Sequence, residues 1–383
     1  MIARPKIGRA RSLGSRARRD RALVPEKNKP RFETDDRSSQ NRPSEEPRKS
    51  GASRPRAAQV AASGDLVVVG APLADDDGLI NSGRAYVLRI ADDGSSYTEV
   101  AKLNASDGGA GAWFGRGVAI DGDVVVVGAS HETAASGAGK AYVFRGAWDA
   151  GGAWTQAAAL AASDGAPGDY FGRAVAISGG VLLVGAFGKN DNQGAVYAFE
   201  TADGGATWAE AATLVGSGSA TGDYVGCCIA IAGDRVAAGA PFHDDTTGRV
   251  HVFETGGWTE TAVLTATAGG AEGDQFGSSV AVGADGAILV GAYAVGTDRP
   301  GFGRVFEEGA GLDWTETLSV EASDGAANDQ FGASVALGDD YVVVGSSNGG
   351  AAYVFGGGAY VSGAAARYGR AAAALLAVVA AAL

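Results

Sequence analysis

Over most of its length the chain alternates between apolar runs of four to seven residues and short clusters of glycine and aspartate. Runs of that length bounded by turn residues predict β-strands. One apolar string returns six times: VVVGAP ending at Pro72, VVVGAS at Ser130, LLVGAF at Phe187, VAAGAP at Pro241, ILVGAY at Tyr293 and VVVGSS at Ser347. Its glycines, from Gly70 through Gly128, Gly185, Gly239 and Gly291 to Gly345, are spaced by 58, 57, 54, 52 and 54 residues. A second string precedes it five times, as WFG at Gly115, YFG at Gly172, YVG at Gly226, and QFG at Gly277 and Gly332. A third follows it, running from AYVL at Leu88 through AYVF at Phe144, VYAF at Phe199, VHVF at Phe253 and GRVF at Phe306 to AYVF at Phe355. A fourth opens on an aromatic residue: Tyr97, Trp154, Trp208, Trp258 and Trp314.

Each repeat therefore predicts four strands, A to D. In the third repeat these fall at residues 172–177, 181–185, 194–200 and 207–214. Strand B is apolar on both faces, as an inner strand between neighbouring sheets must be, whereas C and D alternate and belong further out. The A–B links, Gly122-Asp123, Gly179-Gly180 and Gly233-Asp234, predict tight hairpins. A four-stranded unit recurring at about 50 residues is the pattern of a propeller blade, and one such sheet covers its faces only by packing on the next. The expectation is an all-β chain, a β-propeller of about six four-stranded blades over residues 57–358. The aromatic of strand D is expected to pack between blades. The ends leave a seven-blade or open ring as alternatives. The first repeat lacks the Phe-Gly pair, and only Ala359-Tyr360-Val361 follows Phe355 where a last strand D belongs.

Composition agrees: 62 of 383 residues are glycine, against an average near 7%. The formal net charge of -13 joins two opposite regions. Residues 1–56 carry 17 basic and 7 acidic residues, and the remainder 14 and 37. The first region, rich in Arg, Ser, Pro and Lys, reads as a disordered basic tail; an organelle transit peptide, a nucleic-acid-binding arm and a mis-assigned start are the other readings. No secretory signal peptide is visible in it. The acidic propeller should repel nucleic acid and attract cations or basic partners. At the other end, small residues from 359 lead into an apolar run at 371–383, too short to span a bilayer. It reads either as a membrane-directed tail, loosely like a GPI signal, or as a short Ala-rich surface helix. Cys227 and Cys228, the only cysteines, form no disulfide framework and are expected as small buried side chains.

The Phe-Gly and Gly-Ala-Pro strings resemble the FG-GAP repeat, and through it the integrin α-subunit propeller, over about 300 of the 383 residues. Phe171-Gly172 with Gly185-Ala186, and Phe276-Gly277 with Gly291-Ala292, carry the likeness; the full Gly-Ala-Pro stands at Gly70 and Gly239. The resemblance implies a β-propeller, extracellular or attached to a cell surface, used in adhesion or ligand binding, and a monomer is expected. It also implies calcium loops between the Phe-Gly and Gly-Ala-Pro strands. Here that link is only a turn such as Asp121-Gly122-Asp123, so integrin-type calcium sites look absent.

The remaining acids gather in the D–A and B–C links, which a blade's alternating strands bring to one face. Asp169, Asp223, Asp274 and Asp329 each lie two residues before the Phe-Gly phenylalanine position, with Ala112 there in the second repeat. As a ring near the axis they are candidate ligand-binding residues; alternatively each caps its own turn. Asp75 and Asp77, with Asp244 and Asp245 beside His243, are the candidate ligands for a hard cation such as Ca²⁺. His131, His243 and His251 occupy non-equivalent positions, and no metal-ligand spacing, nucleophile elbow or phosphate loop is present. The sequence thus points to a non-catalytic module that binds a protein or glycan. An axial glycan hydrolase or lectin-like propeller is the alternative, and would need one asymmetric polar cluster. The sequon Asn104-Ala105-Ser106 is usable only in a secreted chain.

Overall fold

The apolar runs become strands throughout a computed structural model that describes residues 59–75, 78–131, 137–146, 153–266, 270–309, 313–339 and 341–356. The first blade holds β1 (Gln59–Ser63), β2 (Leu66–Ala71), β3 (Arg84–Ile90) and β4 (Tyr97–Leu103). The second holds β5 (Phe114–Asp121), β6 (Val124–Ala129), β7 (Lys140–Arg145) and β8 (Thr155–Leu160). The third holds β9 (Val175–Ser178), β10 (Val181–Ala186), β11 (Ala195–Glu200) and β12 (Ala209–Leu214). The fourth holds β13 (Ile229–Ala232), β14 (Arg235–Ala240), β15 (Arg249–Glu254) and β16 (Thr259–Leu264). The fifth holds β17 (Phe276–Val282), β18 (Ile288–Ala292), β19 (Phe302–Glu308) and β20 (Trp314–Val320). The sixth holds β21 (Phe331–Gly338), β22 (Tyr341–Ser346) and β23 (Ala351–Gly356). Each sheet is antiparallel with its strands in sequence order, so the protein is a six-blade β-propeller. Among the described residues there is no seventh blade, and the sixth has three strands. The segment 359–361, weighed as its fourth strand, lies outside the described residues, as do the basic tail 1–56 and the apolar run 371–383.

Sequence chemistry accounts for the local geometry. Ser178 pairs with Val181 across a two-residue hairpin whose glycines, Gly179 and Gly180, have φ of 57° and 86°. Two successive positive φ values define the turn that matches the strands' right-handed twist, and glycine adopts them without a Cβ penalty. Every residue of β6 is buried, as its unbroken apolar run requires, and so is every residue of β14, including its first, Arg235. A feature not visible in the strings is a register shift between strands C and D in all five complete blades, for example between Ala198 and Phe199. Each bulge falls immediately before the aromatic or leucine that ends the third string and increases the local twist there.

The Phe-Gly and Gly-Ala strings are the joints between blades. Phe171 is fully buried, its ring 5.4 Å from that of Tyr197 and 6.1 Å from that of Phe199, both edge-on. Its main chain bridges to Gly139 in the loop before strand C of the preceding blade, and the same bridge recurs at Gly83–Phe114, Gly194–Val225, Gly248–Phe276 and Gly301–Phe331. The following glycine, Gly172, lies so close to Gly128 of the preceding blade that a Cβ on Gly128 would stand 1.8 Å from the Gly172 carbonyl oxygen. Two blades approach this closely only where both backbones are bare.

Apolar faces meet around these joints. Among the described residues the core consists of five clusters, one between each successive pair of blades. The Trp residues of the fourth string pack on their edges, Trp154, Trp208, Trp258 and Trp314 each against one cluster. The series ends at the sixth blade. Val354 is 44% exposed there, although Val143, Ala198, Val252 and Val305 at the equivalent position are 0% exposed.

Candidate functional site

The D–A and B–C links meet on one face, as strand alternation requires. Phe114 N–H donates to Ser82 O, Phe171 to Ala138 O, Val225 to Gln193 O, Phe276 to Thr247 O and Phe331 to Pro300 O, at 2.7 to 3.0 Å. Each bond ties the D–A link entering one blade to the B–C link of the blade before.

The four candidate aspartates occupy one repeated turn on this face. Asp169 Oδ2 accepts the Ala166 N–H at 2.8 Å, while Asp169 N–H donates back to Ala166 O at 3.1 Å. Asp223 does the same with Ala220, Asp274 with Ala271 and Asp329 with Ala326. Asp169, Asp223 and Asp274 are 5%, 5% and 0% exposed, and each also meets a cation from the B–C side of its own blade. Lys189 Nζ lies 3.2 Å from Asp169, His243 Nδ1 2.9 Å and Arg249 Nη2 3.6 Å from Asp223, and Arg299 pairs with Asp274. A buried carboxylate is stable only when so paired. At least one oxygen of each of these carboxylates is thus engaged by the protein's own N–H groups and side chains, whereas Asp329 is half-buried, its carboxylate bonded to the Ala326 N–H and its main-chain oxygen to Ser346, Asn348 and Gly349.

The candidate cation ligands fall in the B–C links of two different repeats, the first and the fourth. Asp75 accepts the Asn81 N–H at 2.9 Å, and Asp77 lies outside the described residues. Asp244 and Asp245 are exposed, both with φ of 50°, and Asn190, Asp191 and Asn192 repeat this left-handed turn one blade earlier. Among the described residues no three His, Cys, Asp or Glu side chains come together as a metal site.

Aromatic side chains do converge. Tyr170 stacks on Phe187 at 4.8 Å with an interplanar angle of 3°, Phe187 on Tyr224 at 5.4 Å, and Tyr224 meets Phe242 at 4.8 Å. The row crosses from the third blade to the fourth and ends at Phe242, which is 37% exposed. The Arg173 guanidinium lies 5.6 Å from the Phe187 ring, and Arg116 lies 5.8 Å from Trp113. Trp113, Tyr170 and Tyr224 hold φ of 55°, 57° and 61°, an unusual conformation for bulky residues that costs roughly 1–2 kcal/mol each. The letter before each Phe-Gly signals these residues in the sequence; their meeting with Phe187 and Phe242 has no sequence signal.

The acids that begin the D–A links hold the next blade. Tyr142 O–H donates to Asp107 at 2.7 Å, Tyr197 to Asp164 at 2.6 Å and Tyr353 to Asp324 at 2.8 Å. Burial, then the bond to Asp164, pushes the Tyr197 hydroxyl well above its ordinary range, while the tyrosine holds Asp164 low. In the fourth blade the tyrosine position is His251, fully buried, with Nδ1 2.5 Å from Glu260 Oε1. Burial pushes His251 below its ordinary value of 6.5, against the upward pull of Glu260. Burial pushes Glu260 up, but bonds from His251 and Ser217 outweigh it and leave it below 4.5.

These shifts fix a pH dependence. As pH falls below 6.5 the unfolded chain protonates this histidine and the folded one resists, so stability falls. The stability contributed by Glu260 is present above 4.5 and is lost as pH drops through its lower folded value. The melting temperature is expected to decline from neutral pH to about pH 4. A flat profile over that window would contradict the assignment.

His131 turns its Nδ1 to Ala129 O at 3.1 Å. The two cysteines are half-buried, not buried as expected, because they stand where the main chain enters the inner strand of the fourth blade. Their sulfurs are 3.9 Å apart, Cys227 donating to Cys228 Sγ, and form no disulfide. Cys228 Sγ lies 2.8 Å from Gly277 O of the next blade, the role Ser279 Oγ plays toward Gly332 O. The Cys227 side chain, then burial, holds the Cys228 thiol well above its ordinary value. Among the described residues no helix is long and apolar enough to cross a membrane.

No curated protein matches the chain. A comparison with protein families matches the FG-GAP repeat at residues 57–88, 97–144, 154–199, 208–253, 258–306 and 314–361. Each match after the first begins at the aromatic of strand D and ends at or beyond strand C, the segment that spans one joint between blades. Six matches covering well over half of the residues, on six blades joined by their Phe-Gly and Gly-Ala pairs, show that the chain belongs to the FG-GAP repeat family.

Proposed function

We propose that the propeller is a binding module of adhesion type, which receives a protein or glycan segment on the face formed by its D–A and B–C links. The observation that carries this reading is the row Tyr170–Phe187–Tyr224–Phe242, ending on an exposed ring. Aromatic side chains on a rigid frame offer contact area at small entropic cost. Asp191, Asp244 and Asp245, exposed beside the row, supply acceptors for hydroxyl or cationic groups of the ligand. In this reading Asp169, Asp223, Asp274 and Asp329 hold the loops in place. Calcium enters only as an ion recruited together with the ligand by Asp244 and Asp245. Family resemblance favours an extracellular or cell-surface setting, with the apolar run 371–383 as a membrane attachment.

The test is binding of the full chain to glycan and peptide arrays, with calcium or with chelator. The paired substitution Tyr224→Ser and Phe242→Ser should reduce the signal at least about tenfold, the scale of losing one or more aromatic contacts. Its melting temperature should stay within a few degrees of the parent. Undiminished binding by the variant would reject the aromatic row as the contact surface.

A further inference from the structure

The fourth blade breaks the repeat at a polar cluster that reaches Asp223, next to Tyr224 of the aromatic row, through Arg249. Where the second, third and sixth blades pair a tyrosine with Asp107, Asp164 or Asp324, it has His251 and, in place of the acid, Gly218. Glu260 accepts at His251 Nδ1 at 2.5 Å and at the Ser217 N–H at 2.9 Å. A carboxylate only accepts, so the imidazole proton resides on Nδ1 and leaves Nε2 as an acceptor. Nε2 lies 3.2 Å from Ser219 Oγ. Ser219 is half-buried on the link between the third and fourth blades, and Arg249 Nη2 stands 3.4 Å from the same Oγ.

We propose that Ser219, His251 and Glu260 form a nucleophile, a base and its positioning group, which together hydrolyse carboxylic esters with small acyl groups. The arrangement is that of a serine hydrolase triad in distances and in roles. Ser219 Oγ bonds to the ester carbonyl carbon as its proton passes to His251 Nε2, and the Arg249 guanidinium faces the carbonyl oxygen that gains charge. The C–O bond to the alcohol breaks, and the leaving oxygen takes the proton from His251. Water then gives a proton to His251 and attacks the acyl-serine. Ser219 recovers that proton as the carboxylic acid departs, so ester and water yield acid and alcohol. Burial supports the base by keeping His251 neutral at neutral pH. The chain neighbours of Ser219, namely Gly216, Ser217, Gly218 and Ala220, offer no large apolar side chain to hold a long acyl chain, hence the small acyl group.

The experiment exposes the full chain to a fluorophosphonate reporter and to p-nitrophenyl acetate. Labelling at Ser219, located by peptide mass spectrometry, and ester hydrolysis above buffer are expected. Ser219→Ala should abolish the label and slow hydrolysis at least about a hundredfold, within the range for losing a triad nucleophile. The pair His251→Tyr and Gly218→Asp rebuilds the clamp of the other blades, so it should fold and be equally inert. Glu260→Gln, the residue at the equivalent Gln156, should fold, label about tenfold or more slowly, and change the pH profile of labelling, which a purely structural role would not do. Labelling that persists in Ser219→Ala, or a parent chain no more reactive than the rebuilt clamp, would overturn the proposal and leave His251 as a structural substitute for tyrosine.

Discussion

Gly128→Ala is expected to prevent the propeller from folding, although it adds a single methyl group. The added carbon would stand 1.8 Å from the Gly172 carbonyl oxygen and 2.7 Å from its carbonyl carbon. No rotamer relieves the clash, because a Cβ does not rotate and the obstacle is main chain. Relief requires parting the second and third blades, which share a cluster containing Val126, Val143, Phe171, Tyr197 and Phe199. The cost should exceed about 4 kcal/mol, beyond the ordinary range for a point substitution and near the total stability of many domains. Soluble yield and the calorimetric transition of the purified chain measure it. A variant that melts within a few degrees of the parent would show that the joint is looser than the distances say. Gly122→Ala makes the contrast, since nothing lies near a Cβ there and only its φ of 55° opposes the change. It should cost about 1 kcal/mol.

Phe171→Ala should have the second largest effect, a loss of about 3–5 kcal/mol. The ring is fully buried against Tyr197 and Phe199, and its main chain is bonded to Ala138 and bridged to Gly139 of the preceding blade. Removing it opens a cavity in a frame that cannot collapse, because both neighbouring sheets are fixed by their own ladders. Phe171→Val imports the residue that the fourth blade carries as Val225, also fully buried, and should cost less than half as much. Urea denaturation of the three proteins gives the order. Equal losses for alanine and valine would mean that the aromatic contacts, not the filled volume, matter at this joint.

The order and edges of the strands were readable from the chain because both depend on neighbours in sequence. An apolar run and its flanking glycines fix a strand wherever it lands, so β10 was placed to within a residue. Strand A was placed too early: residue 172 was expected to open it, whereas β9 starts at Val175. The residues between form an irregular entry to the strand, in which Gly172 N–H donates to Gly185 O and Gly185 N–H to Ala174 O, while Gly172 packs on the preceding blade. Side-chain roles were less legible for a related reason. Asp164 and Tyr197 are 33 residues apart, and Ser219 and His251 are 32 apart; only the closing of the joint brings either pair together. In the sequence His251 is one letter in a variable position of the third string. The same holds for Phe187, which looks like an ordinary exception to proline in the Gly-Ala-Pro string, and for Phe242, the residue after Pro241 in an intact one, until the loops bring them against Tyr170 and Tyr224.

The joints have one more consequence, for the way such a chain can change over time. They are made where bare backbone meets bare backbone, as at Gly70 against Gly115, Gly128 against Gly172, Gly185 against Gly226 and Gly239 against Gly277. A contact of that kind carries almost no address: any blade with the two glycines can follow any other. Duplication or loss of a whole unit by unequal recombination then leaves every remaining joint intact, and the repeat length can drift, as it has between 52 and 58 residues, inside the links alone. The frame is inherited as a module, while the face that meets a ligand is free to diverge blade by blade.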